Sequence, residues 1–173
     1  MATRWTVEVS GLRQVLDALN ESDKKAARVI VKKITDAGKR VAVSASYLAP
    51  GDKPLSGWGP WTTPGGRDLS FDPARVASSF KVRRNNFRRR GVSAGAGWDV
   101  YNTSPGGSIW EVIGSGERVT TASGAAMVRA VNERFPAQRP RSLFAAYYQN
   151  ITPEFRDEVR DLILAEFRKA GLD

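Results

Sequence analysis

The segment KVRRNNFRRRG, residues 81–91, holds the densest group of side chains that could bind a charged partner. Its cationic residues are Lys81, Arg83, Arg84, Arg88, Arg89 and Arg90. Arginine and lysine bind phosphate and carboxylate groups, so these residues are candidates for contact with a partner protein or with DNA. The segment could also be a solvated hairpin tip, because Phe80 and Val82 alternate with the first charges as in a half-buried strand. No helix-turn-helix, zinc-finger or RNA-recognition motif accompanies it, so we expect no sequence-specific recognition of bases.

The absence of cysteine and histidine from the chain removes most catalytic chemistry. Disulfides, thiolate nucleophiles, zinc sites of the usual kind and histidine acid–base catalysis are excluded. The carboxylates that could pair, Asp99, Glu111 and Glu117, stand singly without a metal-binding repeat such as D-x-D. Ser115 lies in GSG and not in the G-x-S-x-G turn of a serine hydrolase. The sequence therefore predicts no enzyme, no metal and no cofactor.

Composition indicates one globular domain with an anionic partner. The chain has 173 residues, of which 41% are hydrophobic and 26% charged, which suits a single core. Its formal net charge of +9 favours nucleic acid, an acidic protein surface or anionic lipid. No apolar run approaches the roughly 20 residues of a membrane-spanning helix, and the first residues lack the apolar core of a signal peptide. We therefore expect a cytoplasmic protein.

The N-terminal part of the chain predicts a strand and two helices. Residues 5–9 alternate as a short strand, and a short helix follows at about 11–19. The next helix is the longest, with Asn20 or Ser22 as its N-cap and Pro50 at its end. Its apolar stripe recurs every three or four residues: Ala27, Ile30, Ile34, Ala37, Val41, Ala45 and Leu48. Its lysines and arginines are typical of a solvated face, with a DNA- or partner-facing surface as the alternative.

Residues 49–73 form a long irregular segment rich in glycine and proline. Loops of this length are usually functional or disordered, and the tryptophans at 58 and 61 argue against disorder. Both rings could fold back into a small satellite core, or the loop could become ordered against a neighbouring subunit. Trp58 and Trp61 are therefore candidates for a subunit interface.

The second half of the chain predicts strands followed by helices. The pattern indicates β-structure from residue 76 onwards, with strands expected at 80–83, 92–94 and 98–101 and the GAG of residues 95–97 as a bulge or bend. Helices are expected at 109–113, 124–135, 142–149 and from Pro153 to Gly171, with Thr152 as the last N-cap. Together these elements predict an α+β fold, in which a small antiparallel sheet packs against long N-terminal and C-terminal helices.

Several segments together carry a family resemblance. VSGLRQVLDAL follows the opening strand, and KKAARVIVKKITDAGKRVAVSASYLAP is a long helix that ends on alanine-proline. ARVASSFKV enters a basic strand, YNTSPGGSIWEVIGSGE contains Glu111 and Gly114, and RFPAQRPRSLFAAYYQN leads to the last helix. In these segments the chain resembles a family of small tailed-bacteriophage proteins described as tail components, neck proteins or head–tail joining (tail-completion) proteins. Residues 51–70 look like an insertion relative to that family.

The resemblance implies a structural protein with a single connector-like α+β domain over residues 1–173 and an inserted loop at about 49–73. Such proteins form homo-oligomeric rings, with six or twelve subunits expected here, in the virion neck around the channel through which DNA passes. Their partners are other connector and tail proteins, and they assemble in the bacterial host cytoplasm. The expected function is head–tail joining. The alternatives are a tail terminator that caps the tail tube and, from a different class, a small basic DNA-binding protein.

Overall fold

The computed structural model describes residues 4–9, 12–60, 62–63, 65–66, 68–86, 96–113, 122–136 and 141–171. Its elements are β1 (Arg4–Val9), α1 (Leu12–Ser22), α2 (Lys24–Leu48), α3 (Pro73–Ser78), β2 (Phe80–Asn86), β3 (Ala96–Asn102), α4 (Pro105–Val112), α5 (Ala122–Arg134), α6 (Arg141–Asn150) and α7 (Pro153–Lys169). A small antiparallel sheet packs against α2 and the C-terminal helices, so the predicted α+β fold is confirmed.

The sheet has three antiparallel strands in the order β1-β3-β2, which places the basic strand β2 at an edge. In the centre of the sheet, Trp98 on β3 lies between Val7 on β1 and Arg84 on β2. Ala96 and Gly97 pair in regular register with both neighbouring strands, so these two residues of GAG do not form the predicted bulge. The predicted strand at 92–94 lies outside the described residues.

Helix α2 begins after both of its predicted caps. Helix α1 continues through Ser22, so Asn20 and Ser22 are themselves helical and cannot cap the next helix. The N-cap is Asp23, which has extended φ and ψ angles of −147° and 97° and accepts two N–H groups of the first turn. The helix ends at Leu48, just before Pro50, as the sequence predicted.

The core lies between α2 and the sheet. The predicted apolar stripe of α2 is buried except for its last residue, Leu48. A Cβ atom at Gly38 would lie 3.1 Å from Val82 Cγ1, so the missing side chain lets the helix approach β2 closely. Trp98 is buried beneath α2, and its indole N–H donates to Thr35 Oγ1 at 2.8 Å. Helix α2 is thereby fixed on the face of the sheet that carries Val82 and Trp98.

Local capping explains where α4 and α7 begin. Thr152 caps α7, Pro153 is its first residue, and Gly171 follows it with a positive φ of 68°, all as predicted. Helix α4 begins earlier than the predicted 109–113 because Ser104 Oγ accepts the backbone N–H of Gly107 at 3.1 Å.

The prediction of β-structure from residue 76 was wrong at its start, because residues 73–78 form helix α3. Asp72 caps this helix by accepting the N–H of Arg75 at 3.1 Å, and Pro73 suits its first position. The predicted helices at 124–135 and 142–149 are α5 and α6, whose ends differ from the predicted ones by one or two residues.

Candidate functional site

The edge strand β2 carries the described part of the basic segment. Because strand side chains alternate, Arg84 shares the α2-facing side of the sheet with Phe80 and Val82, while Lys81 and Arg83 lie on the opposite side. The three cationic side chains of β2 are exposed. The other predicted contact residues, Arg88, Arg89 and Arg90, lie outside the described residues.

Of these three cations, Arg83 has structural partners within the sheet. It lies directly opposite Asp99 in the strand register, and its Nε is 3.4 Å from Asp99 Oδ2. Its guanidinium carbon also lies 5.5 Å from the centroid of the Tyr101 ring. Within the described part of the chain, no ion pair involves Lys81 or Arg84. Lys81 and Arg84 are therefore the better candidates for binding an external anion.

Trp58 lies in an intrachain core. Its ring centroid is 5.0 Å from that of Phe71, its indole N–H donates to Leu69 O at 3.0 Å, and only 6% of the residue is exposed. Trp110 continues this cluster beyond Phe71. For Trp58, this arrangement corresponds to the first of the two alternatives from the sequence, a small satellite core. It leaves Trp58 little exposed surface for contact with a neighbouring subunit. Trp61 lies outside the described residues.

Replacing Trp58 by phenylalanine should lower the free energy of unfolding by about 1–2 kcal/mol, because the Leu69 carbonyl loses its donor and the core loses volume. Urea unfolding measures the change. Tyr47→Phe is the matched control, since 85% of Tyr47 is exposed, and it should change stability by less than about 0.5 kcal/mol. Equal stability of the Trp58→Phe variant and the wild type would contradict the intrachain role.

A second group of ionisable residues lies buried where α4 meets α6. The carboxylate of Glu111 is fully buried and accepts the backbone N–H groups of Ser142 and Leu143, each at 3.2 Å. It therefore caps the N-terminus of α6, where free N–H groups and the helix dipole favour a negative group. Burial raises the pKa of Glu111 to about 7, although the two N–H donors, the Ser142 hydroxyl and the positive charge of Arg141 each lower it.

Arg141 connects three helices around this carboxylate. Its guanidinium donates to Asn132 Oδ1 at 2.8 Å, to the Ile113 carbonyl at 3.4 Å and to the Phe135 carbonyl. The guanidinium carbon lies 4.8 Å from the centroid of the Trp110 ring. Only 5% of Arg141 is exposed, so its charge is held inside the protein by these contacts. We call Trp110, Glu111, Arg141 and Ser142 the α4–α6 joint.

The α4–α6 joint has the contacts of a structural support. Both oxygens of Glu111 are occupied by backbone donors of its own chain, and the indole N–H of Trp110 donates to Ser142 Oγ at 3.0 Å. Over the ranges that the structure describes, no group of three or more Asp and Glu residues gathers in a way that could hold a metal. Sequence reasoning noted Glu111 but did not single out Arg141, because its partners lie on helices distant in sequence.

No family model, curated protein or solved structure matches the chain. Among the described helices, none has both the length and the hydrophobicity to cross a membrane. The class of protein supported by these observations is a helix-backed α+β domain with an exposed basic edge strand and a buried polar joint.

Proposed function

We propose that this chain is a structural virion protein of a tailed bacteriophage. In this proposal it forms a ring in the neck of the particle and joins the DNA-filled head to the tail. It acts by binding to its neighbours and to itself, and it carries out no reaction. The sequence resemblance to neck and head–tail joining proteins and the α+β fold support the proposal.

The observation that carries the proposal is the basic strand β2 at the edge of the sheet. Among the described strands it pairs with β3 alone, so its second edge is open. Open edges are sites at which another chain can add, and natural proteins often place lysine on them to restrict that pairing. With Lys81 and Arg84 exposed, this edge suits an acidic surface on a neighbouring connector protein or the phosphates of DNA.

Exposed hydrophobic residues on two helices suit contacts between subunits. Val43 and Tyr47 lie one turn apart on α2, and Tyr148 on α6 packs against Phe144 with the rings tilted and their centroids 4.6 Å apart. Interfaces are enriched in aromatic residues of this kind. Contacts between two different surfaces of identical subunits close into a ring when the rotation between the subunits permits it. These residues replace Trp58 as our candidates for the contact between subunits.

In vitro complementation tests this function. An extract of cells infected with the phage that encodes this chain, with its gene interrupted, should contain filled heads and separate tails. Adding the purified protein should restore infectious particles by several orders of magnitude, and adding an unrelated basic protein should not. An extract whose infectivity stays unchanged after addition of the folded protein would contradict the proposal. Overlong tails in the extract before the protein is added would identify the tail terminator instead.

A further inference from the structure

An exposed basic stripe runs along the side of α2. It consists of Lys24, Arg28, Lys32 and Lys39, all of which are exposed. Their spacings of four, four and seven residues keep them on one side of the helix, together with Thr35. Asp36 is the one acidic residue among the 25 residues of this helix. From the sequence alone, these charges could be solvated or could face a partner. In the folded protein a further cationic side chain lies beside the stripe.

That side chain is Arg84 on the edge strand. Arg84 lies opposite Trp98 in the strand register, and the Trp98 indole donates to Thr35 on α2 at 2.8 Å. Arg84 also shares the α2-facing side of the sheet with Val82, which touches α2 at Gly38. Arg84 is therefore brought beside the part of α2 around Thr35, where Lys32 and Lys39 lie one turn before and one turn after. We therefore consider the stripe and Arg84 together as one basic surface.

We propose that the part of this surface formed by Arg28, Lys32, Lys39 and Arg84 binds the phosphate backbone of duplex DNA. The proposal deepens the proposed function and rests on it, because it assigns to the ring the face that contacts the DNA in the channel. Arg28 and Lys39 are separated by about 16 Å along the helix axis. That length corresponds to about five phosphates of one strand along the duplex axis. Contacts of this kind position DNA without reading its sequence.

The chemistry of the surface favours DNA over an acidic protein. Protein interfaces bury a core in which charged residues are depleted and aromatic residues are enriched. Here Thr35 lies among the cations, and no aromatic residue belongs to the stripe. Arg83 is left out of the surface because it lies on the other side of the sheet, where it pairs with the buried Asp99. Lys39 is kept although its Nζ lies 3.3 Å from Asp36 Oδ1, because that pair is solvent-exposed and contributes little, so a phosphate can replace the carboxylate.

The test compares two variants that remove equal charge. The first carries Arg28→Gln, Lys32→Gln, Lys39→Gln and Arg84→Gln. The control carries Lys53→Gln, Arg129→Gln, Arg156→Gln and Arg168→Gln, which are exposed positions outside the surface. All eight positions are exposed, so both variants should unfold at the temperature of the wild type. Binding of the full chain to a labelled 30-base-pair duplex is measured by fluorescence anisotropy across a series of sodium chloride concentrations.

The first variant should bind at least about tenfold more weakly at 0.1 M salt, and its slope of log affinity against log salt should shrink by about 3–4. The control should stay within about threefold of the wild type. Equal losses in both variants, or wild-type affinity in the first, would overturn the inference. Wild-type protein that restores infectivity but binds no duplex would overturn this inference and leave the joining function intact. DNA binding without complementation would instead support the small basic DNA-binding protein.

Discussion

Arg141→Ala should lower the free energy of unfolding by about 4 kcal/mol, the largest effect expected for a single substitution in this protein. The guanidinium donates to Asn132, to Ile113 and to Phe135, and its removal takes a hydrogen-bond donor from each of these buried or partly buried acceptors. It also removes the positive charge beside the buried carboxylate of Glu111. Urea unfolding at pH 7 measures the loss.

Two controls separate the geometry of Arg141 from its charge. Arg141→Lys keeps the charge but lacks the planar fork that reaches several acceptors, so it should recover less than half of the lost stability. Arg129→Ala removes an exposed arginine from α5 and should change stability by less than about 0.5 kcal/mol. If Arg141→Ala were no more destabilising than Arg129→Ala, the α4–α6 joint would not stabilise the fold.

Glu111 should make stability depend on pH across the range from about 4.5 to 7. Burial raises its pKa from an ordinary 4.5 to about 7, so the folded protein binds the proton more tightly than the unfolded chain does. The stability from this site is therefore fully present below about pH 4.5 and is lost as pH rises through 7. The total change is about 3 kcal/mol. In Glu111→Gln the site cannot titrate, so the variant should gain stability relative to the wild type by about that amount between pH 4.5 and 8.

The difference between the two proteins isolates this one carboxyl group. Hydrogen bonds from Ser70 lower the pKa of Asp68, and hydrogen bonding with Thr152 lowers the pKa of Glu154. The contribution of each of these carboxylates to the stability of the protein is therefore lost as pH falls. Their contributions occur in both proteins and cancel in the subtraction. Urea unfolding at half-unit steps of pH gives the curve. Parallel curves for the wild type and Glu111→Gln would contradict a buried, titrating Glu111.

The elements that could be predicted from sequence are those whose signals are local. The apolar stripe of α2 and the Thr152–Pro153 start of α7 lie within a few residues of the structure that they specify. The predicted N-cap of α2 was wrong because Asn20 and Ser22 both satisfy the local rule for a cap. Only the continuation of α1 through Ser22 excludes these two residues as caps. Helix α3 was missed because six residues contain too few turns to show a period.

The contacts of the candidate site depend on residues that are distant in sequence. The basic character of β2 was visible from composition, and its position at an edge was not. The pairing of Arg83 with Asp99 follows from the register of β2 against β3, and the capping of α6 by Glu111 joins positions about thirty residues apart. Trp58 illustrates the same limit, since the same residue suits a satellite core or a subunit contact until its neighbours are known.

The central claim is that the protein joins heads to tails, and electron microscopy of a phage lysate in which its gene is disrupted tests it most directly. The proposal predicts DNA-filled heads beside separate tails of normal length, with joined particles restored by the wild-type gene supplied in trans. Overlong tail tubes would assign the protein to tail termination. Intact, joined and infectious particles in the disrupted lysate would contradict a structural role in the neck.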